Sequence, residues 1–219
     1  MIGDALSFPR TGDDWIPTLV IGGVLSLLSF LVVPVFVLQG YFVRVLRAAV
    51  DGETEVPSFT DWGTLLVDGL KLFVVNVAYS LILAVPYFSL LFALGFSGDG
   101  GGGALVLVLG LVVFVLALVV GYFVPAASAN FALEGELGAA FDFGTIKSAT
   151  FTSDYAVAWL LALVVGFVGG AVGAALSFLL VGIFVLFYVQ VAVYYLFGRG
   201  FAKGIGRRGD DAATTATTV

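Results

Sequence analysis

"YAVAWLLALVVGFVGGAVGAALSFLLVGIFVLFYVQVAVYYLF", Tyr155 to Phe197, runs for 43 residues without a charged side chain. An α-helix rising 1.5 Å per residue crosses a ~30 Å hydrocarbon core in ~20 residues. The stretch is twice as long as one span needs, so it has to turn back on itself, and the reading places the turn near Val181 and Gly182. The rest of the chain is built from the same material. Of its 219 residues 61% are hydrophobic and 11% charged, against roughly 45–50% and ~25% in an ordinary soluble domain. A transmembrane barrel would alternate in and out of lipid with period two, whereas Ala104 to Val124 is apolar on every side. The expected fold is therefore all-α: a polytopic transmembrane helical bundle.

Working outward, the first apolar stretch, Ile16 to Val43, is interrupted by Pro34. It reads either as one kinked helix from Trp15 to Ala49, about 50 Å long, or as a hairpin turning near Val33 and Pro34. A polar connector, Asp51 to Gly63, leads into a helix expected to run to about Phe96, followed by the glycine-rich loop Ser97 to Gly103. The next span, Ala104 to Val124, is expected to end at Pro125. Within the less apolar segment Ala126 to Ser153, Phe143 and Ile146 share one side, with Asp142 and Lys147 nearby, as in an interfacial amphipathic helix. Asp14-Trp15, Asp61-Trp62 and Asp154-Tyr155 each read as a helix cap followed by a membrane-interface aromatic. Residues 1–203 form one integral membrane domain, and 204–219, basic and then acidic and threonine-rich, a disordered tail. No basic n-region with a small-residue cleavage site marks a cleaved leader.

Charge decides between six helices and five. With both hairpins real, all nine Lys and Arg fall on one side and Asp99 on the other. The positive-inside rule then favours six helices with both termini cytoplasmic, in the plasma membrane; five helices, with Arg10 outside, is the alternative.

Cysteine and histidine are absent, which removes disulfides, thiolate or imidazole metal ligands, and Cys- or His-based catalysis. The carboxylates do not cluster at metal-loop spacing, so no metal or cofactor is expected. A net charge of −6 argues against nucleic acid. Acid excess with few lysines has a haloarchaeal look, strongly hydrated carboxylates keeping a surface soluble in high salt.

Two constellations stand out. In "SFTDWGTLLVDGLKLFVVNVAY", Ser58 to Tyr79, Asp68 and Lys71 lie three apart on one helix face. They read either as an interfacial ion pair or as part of a cytoplasm-facing polar cluster in which Asp68 meets Arg44 or Arg47, with Tyr41 and Asn76 as further polar groups. Separately, Gly166 and Gly170, and Gly169, Gly173 and Ser177, recur every four residues, a surface on which helices approach closely. The favoured function is a non-enzymatic membrane component for assembly, envelope or partner binding. Its partners would be membrane lipids and other membrane proteins or a second copy. A small-solute transporter or channel is the alternative, but the spans carry few ionisable groups. A lipid-acting enzyme at the cytoplasmic face would have to use Asp68, Asp142, Tyr41 or Lys71 without any recognisable motif.

"DDWIPTLVIGGVLSLLSFLVVPVFVLQGYFVRVLRAAVDGE", "PSFTDWGTLLVDGLKLFVV", "AAFDFGTIKSATFTSDYAVAWLLAL" and "YYLFGRGFA" together resemble an uncharacterised prokaryotic membrane-protein family, domain of unknown function 4013, common in haloarchaea. The resemblance extends from about residue 8 to 203. It implies an integral membrane location, no known reaction and no catalytic residues. In relatives the first apolar stretch commonly breaks at a proline.

Overall fold

The computed structural model describes residues 1–96 and 103–207. The loop carrying Asp99, and the tail from Arg208 onward, lie outside the described residues. The chain is helical, with no strand among the described residues: α1 Ile2–Ser7, α2 Trp15–Leu27, α3 Val32–Asp51, α4 Trp62–Phe96, α5 Gly103–Glu134, α6 Phe143–Thr150, α7 Ser153–Leu176 and α8 Val181–Gly204. Five helices, α3, α4, α5, α7 and α8, are long and apolar enough to cross a membrane. Helix α2, with 13 residues, is about 20 Å long.

The first apolar stretch is a hairpin, and it turns at residues 28–31, a few residues before the expected point. Ser26 and Ser29 bond back to the Gly22 and Leu25 carbonyls at the end of α2, and the chain extends at Leu31. Pro34 sits instead in the first turn of α3, where its missing N–H has no helical partner to lose. The second hairpin also forms, through a 3-10 turn at Ser177–Leu179 and a left-handed Leu180. A Cβ on Gly182 would lie 2.1 Å from the Gly173 carbonyl oxygen, so only glycine lets α8 leave the turn this close to α7.

Three expectations are corrected. Helix α5 does not stop at Pro125 but continues to Glu134. Proline leaves the carbonyl four residues earlier without its helical donor, and that carbonyl, Gly121, is taken up by the Trp159 indole N–H at 3.0 Å. The Tyr155 hydroxyl donates to the next carbonyl, Tyr122, at 2.7 Å. Repair by a neighbouring helix is how proline is tolerated where there is no water. Tyr155 is accordingly fully buried rather than part of an interfacial belt, and the side chain capping α7 is Thr152, not Asp154. Finally, Phe143 and Ile146 do not share an environment: Phe143 is exposed, while Ile146 is buried against the protein.

Helices α3 and α8 hold the centre. One core cluster joins α1, α2, α3, α7 and α8; the second joins α3, α4, α5, α6 and the end of α8. By contrast, the most apolar window of α5 is 0% buried: none of its residues is fully enclosed by protein, and most are exposed. The N-terminal segment, the connector 52–61, the segment 135–152 and the end of α8 come together at one end of the bundle. The Val56 N–H donates to the Thr11 carbonyl, Arg207 pairs with Asp51 at 3.3 Å, and Lys71 reaches the Gly135 carbonyl.

Candidate functional site

At that end α3 crosses α4 with almost nothing between the backbones. A Cβ on Gly40 would lie 1.8 Å from the Leu65 carbonyl oxygen, and one on Gly69 1.8 Å from that of Phe36. This contact brings Arg47 of α3 over Asp68 of α4, at 3.5 Å. Asp68 is 14% exposed and Arg47 36%, so the pair is sheltered but not sealed. The Arg47 Nε also donates to the Ala132 carbonyl at 2.8 Å, and the Lys71 Nζ to the Gly135 carbonyl at 3.1 Å. Ala132 and Gly135 lie at the end of α5, which closes on a left-handed glycine, Gly135, with φ +76°. Two cations therefore meet the orphan carbonyls and negative dipole end of α5. The three longest elements of the cluster are stapled together by charge.

The expected residues divide. Arg47, Asp68 and Lys71 come together around the end of α5. The Asp68–Lys71 ion pair does not form, because Lys71 is drawn to the Gly135 carbonyl and Asp68 to Arg47. Arg44 turns away to the connector, donating to the Ser58 carbonyl at 2.9 Å and the Thr60 hydroxyl at 3.0 Å. Tyr41 is fully buried, stacked on Phe59 at 4.1 Å, and its hydroxyl has no hydrogen-bond partner among the described residues. Asn76 is half-buried on α4 and joins no bond of the cluster.

The glycine face of α7 packs within the chain against α8. A Cβ on Gly169 would meet Val189 at 2.5 Å and one on Gly173 would meet Leu186 at 2.7 Å. Gly166 would make ordinary contact with Val193 at 3.6 Å, Gly170 faces open space, and Ser177 donates back to the Gly173 carbonyl.

Sequence reasoning missed Gly40, whose crossing partner is distant in the chain, and the Pro125 repair by Trp159, beside which Tyr155 bonds the next carbonyl. The signal for the second was a proline inside an apolar run with hydrogen-bonding aromatics on a later helix. It also missed a cleft of about 440 Å³ lined by Asn130, Glu134, Glu136, Asp142, Thr145 and Arg207, among others. There Asp142 caps α6. Hydrogen bonds from the Thr145 hydroxyl, and from the N–H groups of Thr145 and Gly144, hold its carboxyl below the ordinary range. Among the described residues no group of three Asp or Glu is arranged to hold a metal.

Chemically, the cluster brings a guanidinium, an ammonium and a carboxylate against backbone carbonyls of their own chain. Such a set orients helices. A family model described as "Protein of unknown function (DUF4013)" matches residues 25–178, a shorter stretch than the 8–203 of the motif resemblance. It takes in the α3–α4 crossing, the end of α5 and the glycine face of α7. No curated protein and no solved structure matches. With more than half of the chain matched, the chain belongs to this family of unknown function.

Proposed function

We propose that this is a non-enzymatic, multi-pass component of the cell membrane, with both hairpins and the α4–α5 pair entering from the cytoplasmic side. The observation that carries the reading is the use of the charged cluster. Arg44, Arg47, Asp68 and Lys71 each engage a group of the same chain, so none stands ready as base, nucleophile or substrate clamp. Supporting the orientation, Arg10, Arg44, Arg47, Lys71, Lys147, Arg199, Lys203 and Arg207 cluster towards one end of the bundle, the pattern of a cytoplasmic face. On this reading α2 is a sixth, partial span thinning the bilayer beside it, and α6 lies at the interface. Mild-detergent purification from native membranes tests the role. A membrane protein recovered in fixed stoichiometry is expected; a chain that purifies alone under every mild condition argues against it.

One observation favours a second reading, small-solute transport: α2 is short and its turn lies among apolar residues, as in the broken helices of transporters. Solute flux in proteoliposomes above that of empty vesicles would favour it over the first.

A further inference from the structure

Where α8 leaves its apolar run after Phe197, Arg199 and Lys203 follow four residues apart, one above the other on the same face. The N-terminal segment packs beside them. The Phe8 ring stacks on Tyr195 at 4.3 Å, and the Tyr188 hydroxyl donates to the Leu6 carbonyl. Between α1 and α8 this leaves a notch of about 90 Å³ lined by Met1, Asp4, Tyr195, Leu196, Arg199 and Lys203. Its charges are unbalanced. Asp4 is paired with the Met1 amine at 2.9 Å and its side chain is 69% exposed, whereas Arg199 and Lys203 are half-buried and form no ion pair or hydrogen bond among the described residues. The Asp4 carboxyl is held below its usual range by the amine first, and also by Arg199 and Lys203, so the field in the notch is positive. This stands out on a chain of net charge −6. Helix α1 beside the notch also carries exposed apolar side chains, Ile2 and Leu6, 43% and 41% exposed.

A guanidinium and an ammonium one turn apart, beside a tyrosine, supply two positive charges and hydrogen-bond donors suited to a phosphate group. Basic pockets between helices at the cytoplasmic surface suit anionic headgroups in the same way. We propose that Arg199, Lys203 and Tyr195 form a phosphate-binding site, placed to take the phosphodiester of an anionic lipid while the acyl chains run past Ile2 and Leu6. The lipid source rests on the membrane reading above; the phosphate chemistry does not.

The test uses the full chain in uncharged detergent micelles, titrated separately with phosphatidylglycerol, phosphatidylcholine and inorganic phosphate. Bound lipid is followed by native mass spectrometry, together with the melting temperature. Phosphatidylglycerol is expected to bind about tenfold or more tightly than phosphatidylcholine. That preference should vanish in R199Q/K203Q and persist in R10Q, which removes an exposed arginine outside the notch. If the double variant does not fold, K203Q alone should lose part of the preference. Inorganic phosphate raising the melting temperature of wild type, but not of the K203Q or R199Q/K203Q variant, would support the site with a soluble phosphate as its source. Equal binding of both lipids with no phosphate effect overturns the proposal, as does a preference unchanged by either notch variant or lost equally in R10Q.

Discussion

Pro125 takes one donor out of the middle of α5, and a residue on another helix puts it back. If that is what Trp159 does, Trp159→Phe leaves the Gly121 carbonyl unpaired and costs about 1–3 kcal/mol. Pro125→Ala restores the helix's own N–H, so in its background the same change should cost much less. Unfolding of the two single variants and the double variant reads the difference, and additive costs would show that the indole bond is incidental. The ion pair yields to the same logic. Asp68→Asn and Arg47→Gln should each destabilise and together be non-additive by about 0.5–3 kcal/mol. Asp68→Asn and Arg44→Gln should simply add, because Arg44 serves Ser58 and Thr60. The sequence brought Asp68 near two arginines and could not choose between them. Both lie within a turn of each other on α3, and the choice was made by Gly40 and Gly69, whose backbone contact no local pattern encodes.

Helices were legible where length alone constrains them. Forty-three uncharged residues cannot be one span, so the α7–α8 hairpin followed, and its turn was displaced by only a few residues. The α2–α3 turn moved for a physical reason: proline starts helices as readily as it ends them, and the serines before it supply the bonds that close α2. The end assigned to α5 at Pro125 failed for a different reason, since the rule that proline breaks helices assumes no other chain segment can supply the missing donor. Packing of α7 on α8 gives a graded test. Gly173→Ile and Gly169→Ile should each cost roughly 1–3 kcal/mol through overpacking, whereas Gly170→Ile, facing open space, should leave the melting temperature unchanged. Equal effects at all three positions would mean that helix propensity, not contact with Val189 and Leu186, dominates.

At the scale of the molecule, the common end of the bundle predicts a topology. The chain has no cysteine, so single cysteines at Ser7, Ser58 and Ser148 can be labelled without background in intact cells. All three are expected to resist an impermeant reagent and to react once the membrane is opened. Reaction of Ser7→Cys alone from outside would separate α2 from the hairpin arrangement, although Thr11 bonds Val56. The Pro125 repair also orders events in time. Tyr155 and Trp159 are made about thirty residues after Pro125, a delay of a few seconds at about 5–20 residues per second. For that interval α5 has one backbone carbonyl, Gly121, still waiting for the indole N–H that has not been synthesised. The nascent helix therefore has reason to linger beside the insertion machinery or its wet lateral gate, and release into bulk lipid becomes favourable only when α7 arrives. Biogenesis of the second half of this protein is thus coupled, through one proline, to the fate of the first.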